Sequence, residues 1–189
     1  MEQRFYDAIE ANPVIAAVKD DEGLERCCKR EEIKVVFVLY GDICNIGSIV
    51  KKIHDYKKIA MVHIDLITGL SGKEVAVDYI HKMTSTDGII STKPFLIKRA
   101  RELSLYTVLR VFVLDSMAFR NIEFQLAQAK PDIIEILPGV MPKIIRRVCE
   151  ISKVPVIAGG LISDKEDVVE ALSAGAIAVS TTNHDVWLM

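Results

Sequence analysis

Short apolar runs alternate eight times with stretches of helical spacing along this 189-residue chain, and that alternation limits the fold more than any other feature. The runs are Val14–Val18, Lys34–Leu39, Ile59–Leu66, Asp87–Ser91, Tyr106–Leu114, Asp132–Leu137, Val154–Leu161 and Ala176–Asn183. Val-Ile-Ala-Ala-Val has no polar face, as a strand buried on both sides requires. Short connections through helices make consecutive strands parallel and their crossovers right-handed. Eight such units predict an α/β fold, a compact parallel (β/α)8 TIM-type barrel. Its helices must be shortened, because such barrels typically need about 250 residues. An open doubly wound sheet is the competitor. No Gly-x-Gly-x-x-Gly follows the first run, and polar groups close many runs rather than one switch point.

Glu2–Ala11 has the spacing of an amphipathic helix, with Phe5, Ala8 and Ile9 on one side, and Asn12-Pro13 stops it. It is expected to close the bottom of the barrel, so that residues 1–12 cap a single domain spanning 1–189. Asn45 is expected to cap the helix that runs through Ile53, and Pro94 to open the one after the fourth run. Asp115 and Ser116 compete to cap the helix over 117–129.

With 50% hydrophobic residues and a formal charge of -2, the chain can build a sizeable core and is not a generic nucleic-acid glove. Cys27, Cys28, Cys44 and Cys149 lack metal or redox spacing, which points to reduced thiols and a cytoplasmic location. No apolar run reaches the roughly 18 residues that cross a bilayer, and Glu2, Gln3 and Arg4 do not open a signal peptide, so no membrane partner is expected. No metal site and no cofactor is called for.

The polar residues at strand ends carry the chemistry. Strand C-termini of a parallel barrel share one mouth, so Lys19, Asp65, Lys93, Asp115 and Glu135 are expected to converge there. The Gly159–Gly160 pair lets main chain approach an anion, and Ser180 and Thr181 close the last strand, where barrel phosphate sites commonly lie. Asp65 and Glu135 interrupt apolar strands, and a carboxylate there is costly unless paired or used. Lys19 is as readily a solvated charge as a ligand contact. His63 reads as a satisfied core histidine, and Arg110 as the partner of a buried carboxylate. The residues thus describe a phosphate held by Gly159, Gly160, Ser180 and Thr181. Lys93 adds positive charge, and Asp65 or Glu135 accepts from hydroxyls: a small phosphorylated polyol. No reaction is specified, and no Ser-His-Asp arrangement is visible.

Asn12–Lys19, His63–Leu66 with Gly69-Leu70, Gly88–Lys93, Arg110–Ser116, Glu135–Gly139, Ala158–Leu161 and Ser180–Asn183 together resemble the glycerol-3-phosphate responsive antiterminators. The resemblance spans nearly the whole chain. It implies a regulator with an enzyme-like barrel, which senses glycerol 3-phosphate and then binds the leader of a glycerol-catabolism messenger RNA to prevent early termination. It implies further that Lys93, Asp65 and Glu135, with Lys19 at the rim, recognise the glycerol end, while Gly160, Ser180 and Thr181 hold the phosphate. The RNA surface is less legible. Lys143, Arg146 and Arg147 share one helix face at i, i+3 and i+4, and Lys98–Arg101 and Lys51–Lys58 hold other basic clusters. A homo-oligomer is compatible with all of this. The competing class is an aldolase- or isomerase-type barrel enzyme, with Lys93 forming a Schiff base and Glu135 moving a proton. A third is a barrel kept only as a protein-binding scaffold.

Overall fold

The computed structural model describes residues 2–189, with side chains described from Arg4 onward. Eight strands form a closed barrel in chain order: β1 (Val14–Val18), β2 (Val35–Val38), β3 (Ile59–His63), β4 (Gly88–Ser91), β5 (Tyr106–Phe112), β6 (Ile133–Leu137), β7 (Val156–Gly159) and β8 (Ala178–Thr181). Every neighbouring pair is parallel, and β8 closes on β1. The helices are α1 (Glu2–Ala11), α2 (Asp21–Cys28), α3 (Ile46–Asp55), α4 (Glu74–Met83), α5 (Pro94–Glu102), α6 (Ser116–Ala129), α7 (Pro142–Ile151) and α8 (Lys165–Ser173). They run from 8 residues in α2 to 14 in α6, which is how so short a chain completes the barrel.

Alternation along each strand divides the core in two. Ile15, Ala17, Phe37, Met61, Val108, Ile133 and Ile157 fill the barrel interior, while their neighbours Ala16, Val36, Val62, Leu109, Ile134 and Ala158 pack under the helices. Each fully buried Ile or Val contributes about 1.5–3 kcal/mol, so the two shells together dominate stability. Phe5 and Ile9 of α1 join the inner shell, and the Phe5 ring centroid lies 5.1 Å from that of Tyr106 at the start of β5. Gly88 is dictated by closeness: a Cβ there would stand 2.5 Å from the Tyr106 carbonyl oxygen and press on Met61. Toward the strand C-termini the inward series turns polar, with His63 on β3, Arg110 on β5, Glu135 on β6 and Ser180 on β8, all buried.

Three local expectations change. The third strand ends at His63, and Ile64–Leu66 is one 3-10 turn closed by the Ile67 amide on the Ile64 carbonyl at 3.4 Å. Asp65 therefore leaves the strand, because its carboxylate accepts from the Thr92 amide beyond β4. The fifth strand stops at Phe112, and Leu114 is 80% exposed. Asn45 makes no side-chain cap to α3; Asp42 accepts from the Cys44 and Asn45 amides, and Asn45 Oδ1 accepts from the Asp42 amide. After β8 comes a 3-10 turn, Val186–Leu188, tied back by Trp187 Nε1 donating to the Thr181 carbonyl at 2.9 Å. The contest for the α6 cap is decided for Asp115, whose Oδ1 accepts from the Ala118 amide at 2.7 Å. Among the described residues, no helix is long and apolar enough to cross a membrane.

Candidate functional site

The polar residues at the strand C-termini form two bonded groups at the barrel mouth, Lys93 with Asp65, Ser91 and Thr92, and Arg110 with Glu135 and Ser180, with the His63 ring near the first. At one side Lys93 Nζ lies 3.2 Å from Asp65 Oδ1. Asp65 Oδ2 accepts from the Ser91 hydroxyl at 2.9 Å, the Thr92 amide at 2.8 Å and the Thr92 hydroxyl at 3.2 Å. Burial raises the Asp65 pKa, but the Thr92 amide, the Ser91 hydroxyl, His63 and Lys93 outweigh it and hold the carboxyl below its ordinary value. His63 Nδ1 stands 4.0 Å from Asp65 Oδ2 and has no hydrogen-bond partner, although the residue is buried. Burial first, then Arg110, lowers its pKa to about 4, so the imidazole is neutral at pH 7.

The second group is built on Arg110, whose Nε donates to Glu135 Oε2 at 2.5 Å. The Ser180 hydroxyl donates to Glu135 Oε1 at 2.5 Å. Gly159 completes the group, since a Cβ there would run into Glu135 Oε1 and Ser180 Oγ. Lys93, Asp65 and Glu135 thus lie at the same end of the barrel as the glycine pair.

Residue by residue, the picture differs in emphasis from the sequence reading. Both oxygens of Glu135 are engaged within the protein, the residue is fully buried, and its partner is the Arg110 that the sequence assigned to a buried carboxylate. The Ser180 hydroxyl is spent on Glu135. The Thr181 hydroxyl donates to the Ile162 carbonyl at 2.8 Å and accepts from the Asn183 amide. What these turns leave for an anion is main chain. The N–H groups of Leu161 and Thr182 donate to no acceptor among the described residues, while the Gly160 amide belongs to the last rung of the β7–β8 ladder, Gly159 opposite Ser180. Gly160 (φ +76°) and Leu161 (φ +64°) are both left-handed, which bends the chain at the end of β7 and suits glycine at the first position. The Gly139 amide donates to the Gly160 carbonyl at 3.0 Å and joins the β6–α7 loop to this bend. Free amides at these two strand ends, one in the bend after β7 and one just past β8, are donors that an anion can use.

Lys19 is exposed at the rim just past β1, beside Asp20, whose carboxylate accepts from the Gly23 amide and caps α2. Asp115 is spent on its cap. The sequence reading missed His63 as a group of the mouth; an unpaired ring nitrogen inside a barrel is invisible in a one-dimensional apolar run. Lys143, Arg146 and Arg147 lie on α7, outside the mouth, and all are exposed. Among the described residues, no group of three or more His, Cys, Asp or Glu side chains is placed to hold a metal ion.

A family model described as glycerol-3-phosphate responsive antiterminator matches residues 14–187. Uncharacterized protein YgcP of Escherichia coli K12 is 48% identical over 178 residues, covering 94% of this chain and 93% of that protein. The crystal structure of a glycerol uptake operon antiterminator regulatory protein from Listeria monocytogenes superposes with a TM-score of 0.90 at 30% identity, over 94% of this chain and 95% of that one. A glycerol uptake operon antiterminator-related protein from Thermotoga maritima gives 0.80 at 32% identity, over 93% and 98%. A solved deoxyribose phosphate aldolase from Aeropyrum pernix is only 14% identical, a likeness that carries the barrel fold alone.

Proposed function

The chain belongs to the glycerol-3-phosphate responsive antiterminator family, and from that premise we propose that the mouth binds glycerol 3-phosphate and that the loaded protein binds a leader messenger RNA. The family is one of regulators. The observation that carries the ligand reading is the gathering at one mouth of two bonded polar groups, Lys93–Asp65 and Arg110–Glu135–Ser180, with His63 near Asp65 and Gly159 against Glu135. The unpaired amides of Leu161 and Thr182 follow the strand ends of the second group, and the half-exposed Lys93 ammonium belongs to the first. The phosphate sits on the amides of the turn with Gly159 and Gly160 and of the turn after Ser180 and Thr181. Lys93 and Asp65 read the glycerol hydroxyls, with Lys19 closing the rim and His63 Nδ1 offering a neutral partner. Glu135 acts here by fixing Arg110 and Ser180 beneath the ligand.

Calorimetry with glycerol 3-phosphate, glycerol and inorganic phosphate tests this. Binding is expected for the phosphorylated polyol and to be far weaker for either half alone. Lys93→Met is expected to weaken it by roughly 10- to 100-fold, the loss of one hydrogen bond to a charged group. Equal binding of Lys93→Met and wild type would remove Lys93 from the site. Borohydride treatment in the presence of ligand is expected to leave Lys93 unmodified. The enzyme reading needs Glu135 to move a proton, yet both its oxygens are already bonded to Arg110 and Ser180.

RNA binding in this reading uses the exposed face of α7 with Lys143, Arg146 and Arg147. Coupling follows from connectivity: the Gly139–Gly160 hydrogen bond links the ligand-gripping bend to the loop that leads into α7. A ligand that prefers one arrangement of these loops shifts the population toward it. Hydrogen exchange at Gly69, Gly139 and Asn183 is expected to slow when glycerol 3-phosphate is added. Unchanged protection would remove the loop mechanism while leaving ligand binding intact.

A further inference from the structure

The basic clusters of this chain are not equivalent once their partners are known. Around α3, Lys51 pairs with Asp55 and Lys52 with Glu25, and Lys58 is buried with its ammonium on the Arg30 and Ile33 carbonyls. On α5, Arg99 is held by Asp78 and Glu102. The cations between α6 and α7 have no carboxylate partner among the described residues. Lys143 and Arg146 are exposed, Arg147 lies over the Phe119 ring of α6 at 4.2 Å, and Lys130 and Lys153 stand free further down. Arg101 donates at 2.6 Å to the Lys130 carbonyl, which orients the guanidinium without neutralising it.

Arg101, Lys130 and Lys153 rim a groove of about 610 Å³ at the foot of this seam. Its floor is apolar, with Leu126, Pro131, Ile151 and Val154, and Glu123 is its one acid. The groove lies where α5, α6 and α7 end and β6 and β7 begin, at the opposite end of the barrel from the mouth. From Lys143 to Lys153 the seam descends roughly 15 Å at helical rise.

We infer that the α6–α7 seam is a single-stranded RNA track ending in a nucleotide seat, in which a base lies on the apolar floor and Arg101, Lys130 and Lys153 hold the flanking phosphates. This rests on the RNA reading above and adds its location. Unneutralised cations in line supply the charge that a single-stranded backbone requires, and the aliphatic floor gives a base apolar surface to cover. A net positive seam in a chain of charge -2 is a poor seat for an acid-balanced protein surface. Because seam and mouth are at opposite ends, glycerol 3-phosphate and RNA do not compete for one place.

The test is photo-crosslinking of thiouridine-substituted single-stranded RNA to the full chain, with a salt titration of Lys130→Asn/Lys153→Gln. Crosslinks are expected within 126–131 and 151–154. The double variant is expected to lose about 1.4 from the log–log salt slope, two phosphate contacts at ~0.7 each, while keeping its thermal shift with glycerol 3-phosphate. RNA binding at full strength by the variant, with crosslinks elsewhere, would overturn the seat and leave the RNA reading standing. No RNA binding by wild type at low salt, with or without the ligand, would overturn both. A wild-type dimer that the double variant converts to monomer would make the groove a self-association face instead.

Discussion

Glu135→Ala is expected to lower the unfolding free energy by about 3–5 kcal/mol, the usual cost of removing one partner from a buried ion pair. Arg110 would be left 7% exposed with no counter-charge, and the Ser180 hydroxyl would lose its acceptor. Urea unfolding measures this directly. The pair itself is a different matter, since well-packed apolar substitutes for a buried ion pair are often neutral or stabilising. Arg110→Met/Glu135→Leu is therefore expected to recover most of the loss while abolishing ligand binding, because the layer beneath the ligand becomes apolar. A cost below about 1 kcal/mol for Glu135→Ala would mean that water reaches Arg110 and screens the pair.

That experiment separates the two jobs of the inner polar layer. The lower inward positions, such as Ile15, Phe37 and Ile133, could have continued upward as more aliphatic side chains. Instead His63, Arg110, Glu135 and Ser180 replace them where the barrel opens. A buried ion pair adds little net stability, so its presence is better explained by what it positions. Gly159 fits this account: it leaves the space that the Glu135 and Ser180 oxygens occupy.

The barrel was legible because its signal is local. Eight apolar runs at short spacing, each followed by a helical stretch, leave few alternatives, and Val14–Val18 is the strand that was read. Errors fell where a long-range bond overrides local pattern. The run through Asp65 looks like one strand until the Thr92 amide, 27 residues away, claims the carboxylate and curls the chain outward. Asn45 looks like a helix cap until Asp42 takes the neighbouring amides. In the site, residue types told which groups were polar and at which end they lay. They could not tell which were already satisfied: the hydroxyls of Ser180 and Thr181 are occupied, whereas the ring nitrogen of His63 is not.

His63 gives the second large effect. Its pKa lies at about 4 in the fold against an ordinary 6.5, through burial and the nearby Arg110. Above pH 6.5 the imidazole is neutral in both folded and unfolded chains and contributes no pH dependence. Between 6.5 and 4 the unfolded chain binds a proton that the fold refuses, so stability falls with pH throughout that window. At ~1.36 kcal/mol per pH unit the loss reaches roughly 3 kcal/mol by pH 4, and then levels off as the fold protonates too. Asp65 acts in a different window: its carboxyl is held below 3.8, so its contribution is intact at pH 4 and disappears only at lower pH. Unfolding free energies at closely spaced pH values are expected to show this slope in wild type and to lose it in His63→Gln, which keeps a polar group in the mouth without the charge change. The same slope in both proteins would mean that another group titrates in this range, and that the His63 ring lies in a wetter place than the sealed layer beside Arg110.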